Sequence, residues 1–205
     1  MTTGERVVKK IGILALQGNF QKHKLILDQL GVESTYVRYS SSLDDLNGLI
    51  IPGGESTTMS KLLDRSGLFE SIVSFADKNP ILGTCAGLIM MANNAMDDRV
   101  NTFKLLDIDI ERNASGRQID SSIETLTVNY NNVQKNINVT FIRAPKIIRH
   151  GNEVNILAYH KGIPCAVKSG KHIGLSFHPE LNGISIFHEI VFNKLINNRE
   201  GLHAA

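Results

Sequence analysis

Residues 83–87 of the chain read Gly-Thr-Cys-Ala-Gly, which is the G-x-S-x-G pattern of a nucleophile elbow with sulfur in place of the hydroxyl. A buried strand is expected before this turn and a helix after it, so Cys85 would lie at the positive end of the helix, where a thiolate is favoured. The backbone N–H of Ala86 would then face an oxyanion formed beside the sulfur. Cys85 is therefore the candidate nucleophile. The other cysteine, Cys165, lies in a strand-like run with no helix after it and is interpreted as a small core residue.

A cysteine nucleophile needs a base and a group that orients the base. Residues 178–180 read His-Pro-Glu and follow an apolar strand. Residues two apart in extended backbone point to the same side, so Glu180 can reach His178, and the proline between them stiffens the arrangement. We therefore predict that His178 is the base and Glu180 the orienting acid. The alternative is a surface His and Glu at a strand end. His23, in the first helix, is expected to have a packing or polar role.

Residues 52–58 read Pro-Gly-Gly-Glu-Ser-Thr-Thr and follow another apolar strand. Because glycine tolerates unusual backbone conformations, Gly53 and Gly54 can turn a backbone N–H toward a bound atom as a second oxyanion donor. Ser56 or Thr57 is expected to cap the next helix, a role that is compatible with the first. The loop lacks the G-x-x-x-x-G-K-[ST] spacing of a phosphate loop, so no nucleotide site is predicted.

The elements that position these groups alternate in the first half of the chain. Apolar strand-like runs alternate with helical segments, which favours a parallel sheet covered on both faces. Ligands bind at the carboxyl ends of the strands in such sheets, so Cys85 and the Gly53-Gly54 pair are expected at the same rim. The strands are predicted at Ile11–Gln17, Glu33–Arg38, Gly48–Ile51 and Ile81–Thr84. The helices are predicted after an Asn19 cap, over Thr57–Phe75 with a break near Gly67, and over Ala86–Asn94.

The second half is richer in closely spaced strands. The predicted strands are Leu105–Ile110, Ile123–Asn129, Val139–Ile142, Val154–His160, Pro164–Lys168 and His172–Phe177. Lys161-Gly162 has the character of a hairpin turn. The last helix places Phe187, Ile190, Val191 and Leu195 on one face. These patterns predict a three-layer α/β architecture: a mostly parallel sheet with antiparallel strands added at one edge, in a single domain over residues 1–205.

Composition excludes several classes of function. The 205 residues carry a formal charge of +2, which gives no electrostatic reason to expect a nucleic acid or an anionic membrane as partner. No apolar run approaches the roughly 20 residues of a membrane-spanning helix, and the first ten residues do not resemble a signal peptide, so the expected compartment is the cytoplasm. Two isolated cysteines argue against a disulfide framework, and no Cys or His cluster has metal-ligand spacing.

Taken together, the Gly-x-Cys-x-Gly elbow, the upstream Gly-Gly loop and the downstream His-x-Glu resemble the class I, or triad, glutamine amidotransferases. Further segments resemble, in order, those of the glutaminase subunits of pyridoxal 5′-phosphate synthases, from about residue 11 to the end of the chain. The matching segments are Leu-Gln-Gly at 16–18 with His23, residues 52–58, residues 83–87, Arg112-Asn113, Gly-Arg-Gln at 116–118, Phe-Ile-Arg-Ala-Pro at 141–145 and Ser-Phe-His-Pro-Glu at 176–180.

This resemblance implies a flavodoxin-like fold and hydrolysis of L-glutamine to L-glutamate and ammonia. The ammonia would pass to a separate (β/α)8-barrel synthase subunit in a hetero-oligomer that forms the vitamin B6 ring, with no cofactor or metal in this chain. The resemblance also implies that glutamine is held at Gly54, Glu55, Ser56, Arg112, Ile142 and Arg143. A zwitterionic amino acid needs an anion and a cation, which Glu55 and either Arg112 or Arg143 can supply.

The chain departs from the family pattern in one place. Ser115 replaces the usual aromatic residue, and residues 121–124 replace a shorter run, so the wall of the glutamine pocket or the partner-facing surface is expected to differ. Two alternatives remain at this level. One is a class I glutaminase that serves a synthase of the histidine or nucleotide pathways. The other is an α/β protein that senses or binds rather than catalyses and has no need of the His178-Pro179-Glu180 segment.

Overall fold

The structure is a computed structural model and describes residues 9–112 and 121–196. Within these ranges the strands are β1 (Lys10–Leu14), β2 (Glu33–Val37), β3 (Gly48–Ile51), β4 (Ile81–Thr84), β5 (Ala92–Asn94), β6 (Leu106–Glu111), β7 (Ser121–Tyr130), β8 (Val133–Ile142), β9 (Lys146–His150), β10 (Asn155–His160), β11 (Ile163–Ser169) and β12 (His172–Leu175). The α-helices are α1 (Phe20–Gln29), α2 (Ser56–Ser66), α3 (Leu68–Ala76), α4 (Ala86–Met91) and α5 (Ile186–Ile196).

The largest sheet has seven strands in the order β10-β11-β12-β4-β3-β1-β2. Strands β12, β4, β3, β1 and β2 pair in parallel, and β10 and β11 extend the β12 edge in antiparallel pairing. The prediction of a mostly parallel sheet with added antiparallel strands is confirmed. Strands β4 and β12 are direct neighbours, so the turns that follow them emerge side by side at one rim.

The helices cover both faces of this sheet because its strands alternate their side chains between two cores. Ile51 on β3 packs in one core with Met59 of α2, together with residues of α3 and α4. The adjacent Ile50 points to the other core, which contains Leu27 of α1 and Phe187 of α5. Every residue of β3 and β4 is buried, as expected for strands with a helical layer on each side. The arrangement has three layers, as predicted.

The second half of the chain differs from the expectation that its strands would all join one edge antiparallel. Only β10 and β11 do so, while β12 is parallel. Strands β5, β6 and β9 form a separate three-stranded sheet, and β7 pairs with β8 alone. Period-2 patterns reveal strands but carry no information about which edge each strand joins.

The predicted turns agree with the structure more closely than the predicted strand pairing does. Lys161 and Gly162 connect β10 to β11 with φ values of 51° and 79°, the left-handed pair that a tight hairpin requires. Gly67, with φ of 68°, separates α2 from α3 where the helical break was predicted. Asn19 precedes α1, but its side chain makes no capping hydrogen bond.

Two helix ends differ from the sequence prediction. Glu55, rather than Ser56 or Thr57, caps α2, because its carboxylate accepts the backbone N–H groups of Thr57 and Thr58. The helix predicted over Ala86–Asn94 ends at Met91 and is followed by β5.

The terminal helix α5 buries Phe187 and Val191, as its apolar spacing predicted, and Phe192 in addition. The side chain of Leu195 and residues 113–120, which include Ser115 and Gly116-Arg117-Gln118, lie outside the described residues. None of the helices in the described ranges is long and apolar enough to cross a membrane.

Candidate active site

Cys85 occupies the sharp turn between β4 and α4. Its backbone has φ of 50° and ψ of −103°, a conformation that L-residues rarely adopt and that functional sites retain when their surroundings enforce it. The N–H of Cys85 donates to the carbonyl of Leu175 on the neighbouring strand at 2.8 Å, which fixes one side of the turn. A Cβ on Gly87 would lie 2.0 Å from the carbonyl oxygen of Ile51, so only glycine fits there. The predicted elbow is present.

His178 and Glu180 meet as the sequence predicted. They follow β12, and Pro179 opens a short 3-10 turn, Pro179–Asn182, that brings the two side chains together. Nδ1 of His178 lies 2.7 Å from Oε1 of Glu180. His178 is 5% exposed and Glu180 is 2% exposed, which excludes the alternative of a surface pair at a strand end.

The electrostatics of this pair favour a charged imidazole beside the sulfur. Burial opposes a charge on His178, but hydrogen bonds to Cys85 and Glu180 outweigh it and raise the pKa of His178 to about 10. Burial alone would raise the pKa of Glu180, yet the hydrogen bond from His178 and the proximity of His23 lower it. The site therefore favours an imidazolium beside the Cys85 sulfur, with a carboxylate behind the ring.

Cys165 differs from Cys85 in its position in the fold. It lies within β11 and is buried, with its Sγ 3.4 Å from the carbonyl oxygen of Ala158. Burial raises the pKa of the Cys165 thiol to about 12, so it stays protonated at physiological pH. The structure thus agrees with a core role for Cys165.

The Gly53-Gly54 loop packs directly against the candidate base. A Cβ on Gly53 would lie 2.3 Å from Cε1 of His178 and 3.3 Å from Cβ of Cys85, so a side chain there would displace the ring. Gly54 has φ of 155°, and the amide of Gln17 donates to the carbonyl of Glu55 at 2.7 Å, which anchors the far side of the loop. The loop backbone thereby borders the sulfur, where an oxyanion donor is required.

A cavity of about 300 Å³ opens in front of these groups, a size that suits a small amino acid. Most of the residues predicted for catalysis or substrate binding line it: Gly53, Gly54, Glu55, Ser56, Cys85, Arg112, Ile142, Arg143 and His178. Glu180 is buried behind His178, and Ala86 is the first residue of α4, where backbone N–H groups have no acceptor within the helix. The sequence therefore identified residues that one cavity brings together.

The charged groups of the cavity are paired in a way that the sequence did not predict. Arg112 donates to Glu55 at 3.1 Å and also to Asp97. Glu55 in addition accepts from the backbone and hydroxyl groups of Thr57 and Thr58, and these bonds outweigh burial and lower its pKa to about 2. The Glu55 carboxylate is thus engaged by its own helix and by Arg112, which makes it better suited to aim Arg112 than to accept a ligand ammonium directly.

The structure adds functional candidates that sequence reasoning missed. Asp97 holds Arg112, but it comes from a loop whose sequence gives no sign of that contact. His23 lies 3.6 Å from Glu180 and 3.0 Å from His188, and both histidines are fully buried. Sequence reasoning predicts a packing or polar role for His23 and includes it in the family resemblance, without a link to Glu180. Its five-residue spacing from Gly18 was the one available signal.

The departure at residues 121–124 lies at the edge of the cavity. Ser121, at the start of β7, pairs with Ile142 at the end of β8. Ile142 lines the cavity, and its carbonyl oxygen lies 3.9 Å from the Sγ of Cys85. The changed segment therefore supports the strand that borders the candidate nucleophile and leaves the Cys85, His178 and Glu180 arrangement intact.

Comparison with known proteins identifies relatives along nearly the whole chain. The SNO glutamine amidotransferase family matches residues 13–196. The chain is 44% identical over 180 residues to the pyridoxal 5′-phosphate synthase subunit PdxT of Oenococcus oeni, covering 88% of this chain and 93% of the relative. It is 40% identical over 192 residues to the subunit of the same name from Solibacter usitatus, covering 92% of this chain and all of the relative.

Solved structures of similar proteins share the fold of this chain. A crystal structure described as a glutamine amidotransferase superimposes with a TM-score of 0.83 at 37% identity, covering 91% of this chain and 98% of that chain. The structure of PurLQS from Thermotoga maritima shares the fold, with a TM-score of 0.68 at 18% identity over 93% of this chain and 98% of its own. By sequence match, by fold and by the arrangement of the elbow, this chain belongs to the SNO glutamine amidotransferase family.

Proposed function

We propose that this chain is the glutaminase subunit of a pyridoxal 5′-phosphate synthase. It hydrolyses L-glutamine to L-glutamate and ammonia through a thioester on Cys85 and delivers the ammonia to a separate synthase subunit. The observation that carries the proposal is the buried contact of His178 with Glu180, 2.7 Å apart, beside an elbow cysteine that opens into a cavity with charged side chains in its lining. The similarity to PdxT subunits over most of the chain supports this synthase rather than one of another pathway.

The first half of the reaction forms the thioester. The Cys85 thiolate attacks the side-chain amide carbon of glutamine, and the electrons of the C=O bond move to the oxygen. The N–H of Ala86 and a backbone N–H of the Gly53-Gly54 loop stabilise that oxyanion. The His178 imidazolium donates its proton to the amide nitrogen, the C–N bond breaks and ammonia leaves.

The second half returns the enzyme to its starting state. Neutral His178 takes a proton from water, and the resulting hydroxide attacks the thioester carbon. The second oxyanion collapses, the C–S bond breaks and glutamate is released with the Cys85 thiolate restored. Glu180 stabilises the imidazolium in both steps and holds the ring in one orientation.

Charged and backbone groups position the substrate in this scheme. Arg143 lines the cavity with its side chain exposed, and Arg112 lines the same cavity and is held there by Asp97 and Glu55. Two guanidinium groups suit the glutamine α-carboxylate. The remaining contacts are proposed for Gly54, Glu55, Ser56 and Ile142, all of which line the cavity.

Arg143→Ala and Arg112→Ala are expected to raise the KM for glutamine by about 10-fold to 100-fold, since each removes charge-assisted hydrogen bonds to the substrate. The melting temperature should change little by comparison. Arg149→Ala is the matched control, because Arg149 pairs with Asp107 and Asp109 outside the cavity. Steady-state kinetics and thermal melts of the three variants distinguish a substrate-binding role of the cavity arginines from a structural one. A large loss of melting temperature at unchanged KM would assign the cavity arginines to structure.

The isolated chain is expected to be a poor glutaminase that becomes active with its synthase partner. Flipping the Gly53-Gly54 peptide costs little because neither residue has a side chain, so partner contact near Gln17-Gly18 can select the orientation that supplies an oxyanion donor. Absence of one such donor reduces turnover by on the order of 10²–10³-fold. Glutamate release is measured for the chain alone and with saturating synthase subunit. Equal rates would rule out activation, and activation by a different amidotransferase synthase would reassign the partner.

Two further inferences from the sequence stay predictions. A cytoplasmic location is proposed for the enzyme and is checked by fractionation of the source cells. A single domain over residues 1–205 is proposed, and one cooperative unfolding transition is its expected signature.

A further inference from the structure

Two fully buried histidines lie directly behind the Cys85, His178 and Glu180 arrangement. Nε2 of His23 is 3.6 Å from Oε2 of Glu180, and Nδ1 of His23 is 3.0 Å from Nε2 of His188. The three residues come from α1, the turn after β12 and α5, so three separate elements converge on this point. Neither His23 nor His188 contributes to the cavity or to the reaction steps described above.

Without His23, only one of the two carboxylate oxygens of Glu180 has a hydrogen-bond partner among the described residues. Oε1 accepts from His178, whereas Oε2 is buried and has no hydrogen-bond partner within the described part of the chain. A buried carboxylate oxygen without a donor favours protonation or reorientation of the group. An N–H of His23 directed at Oε2 offsets that cost even at 3.6 Å, because the interaction lies in a dry, low-dielectric site.

The tautomer of His23 depends on which of the two rings supplies the proton shared with the other. Burial lowers the pKa of His23 against the opposing pull of Glu180, and burial lowers the pKa of His188 further, so both rings are neutral at physiological pH. One proton is then shared between Nδ1 of His23 and Nε2 of His188. If His188 supplies it, the proton of His23 resides on Nε2 and faces Glu180. The reverse arrangement would set a ring lone pair against a buried carboxylate.

One more polar group faces His23. The hydroxyl of Thr84, the residue before the elbow cysteine, is 3.4 Å from the same Nε2 atom. Thr84 is fully buried on β4, and its hydroxyl can accept an N–H of His23 or donate to the ring nitrogen, because a hydroxyl does both. The groups around His23 are thus Glu180, His178, His188 and Thr84, and Glu180 is the one anion among these four.

We propose that His23 is a positioning residue for the glutaminase reaction: its Nε2–H, held in place by His188, fixes the ionised Glu180 carboxylate in the orientation that supports His178. This role rests on the proposed function, because it concerns the same triad. It extends the arrangement from Cys85, His178 and Glu180 to two histidines that do not touch the substrate. His23 acts through Glu180, so its removal is expected to weaken the imidazolium form of His178 rather than glutamine binding.

The test compares His23→Met, which removes the donor at similar volume, with His23→Gln, whose amide N–H₂ reaches the place of Nε2. His172→Met and His172→Gln are the matched controls, since His172 is also buried but lies at the other end of β12. All variants are made with Cys165→Ala, which leaves Cys85 as the single thiol. The rate of Cys85 alkylation by iodoacetamide is followed against pH, and glutamine turnover is measured with saturating synthase subunit.

His23→Met is expected to move the alkaline step of the alkylation profile, which reports His178, to lower pH by about one unit. It should also lower kcat by about 10-fold to 100-fold, with KM for glutamine within about twofold of the parent. His23→Gln should keep the alkaline step and kcat close to those of the parent. The His172 variants should show neither the shift of the alkaline step nor the decrease in kcat. In a Glu180→Gln background, His23→Met should have no further effect on kcat, because its action passes through that carboxylate.

An unmoved alkaline step in His23→Met, or a kcat loss that persists undiminished in the Glu180→Gln background, would overturn the proposal and leave His23 a packing residue. If His23→Met does not fold, His188→Phe is tested instead. This variant keeps His23 but removes the N–H of His188 that holds it. The alkaline step of the alkylation profile should then move to lower pH by a smaller amount. If the parent complex releases no ammonia from glutamine, the proposed function fails, whereas the alkylation profiles still decide the role of His23.

Discussion

Replacing Cys85 by alanine is expected to abolish glutamine hydrolysis by the complex, with a loss on the order of 10⁴-fold or more, because no thioester can form without the sulfur. Cys85→Ser should be nearly as inactive, since a serine hydroxyl is scarcely ionised at neutral pH. Cys165→Ala serves as control and should retain the parent rate, because Cys165 is buried in β11 with a protonated thiol. Glutamate release with saturating synthase subunit is the measurement.

The same variants can be followed by labelling with an alkylating glutamine analogue. Labelling should be lost in Cys85→Ala and kept in Cys165→Ala. Labelling that survives in Cys85→Ala and disappears in Cys165→Ala would show that Cys165, rather than Cys85, is the nucleophile.

Replacing His178 by asparagine is expected to reduce kcat by about 10²–10⁴-fold, since both proton transfers then lack a catalyst. Glu180→Gln should cost less, about 10-fold to 100-fold, because a neutral amide can still accept the Nδ1–H of His178 but cannot stabilise its charge. The pKa of His178 is raised to about 10 in part by Glu180. Removal of that charge therefore lowers the pKa of His178, and the alkaline limb of kcat/KM should move to lower pH.

The pH profile of kcat/KM for the parent and Glu180→Gln tests this directly. Asn182→Ala, in the same 3-10 turn, is a suitable control, because Asn182 accepts a hydrogen bond from Thr140 and touches neither side chain of the pair. Identical alkaline limbs in parent and Glu180→Gln would contradict an orienting and stabilising role for the carboxylate.

The parts of this site that were predictable are those encoded by short, contiguous patterns. The elbow at residues 83–87 depends on glycines that permit close packing, and the His178-Pro179-Glu180 segment depends on extended geometry over three residues. The rim shared by Cys85 and the Gly53-Gly54 loop followed from the rule that parallel strands present their carboxyl ends together. Local sequence was sufficient in each case because the relevant physical constraint is itself local.

The parts that were missed depend on contacts between distant residues. The hydrogen bond of His23 to His188 joins positions 165 apart, and that of Arg112 to Glu55 joins positions 57 apart. In each pair, the sequence around one residue does not indicate which residue it contacts. The separate pairing of β7 with β8 was missed for the same reason, since alternation defines a strand but not its neighbour. The cap on α2 was assigned to Ser56 or Thr57, which are common caps, whereas Glu55 fills the position and also holds Arg112.

The proposed function requires that Cys85 releases the amide nitrogen of glutamine for pyridoxal 5′-phosphate formation in the partner. Pyridoxal 5′-phosphate contains one nitrogen, so glutamine labelled with ¹⁵N in the side-chain amide is a direct probe of that transfer. The complex with saturating synthase subunit and its carbon substrates should give product carrying ¹⁵N, whereas Cys85→Ala should give labelled product only when ¹⁵N-ammonium is added. Labelled product from amide-labelled glutamine in the Cys85→Ala complex, or unlabelled product from the parent complex, would contradict the claim.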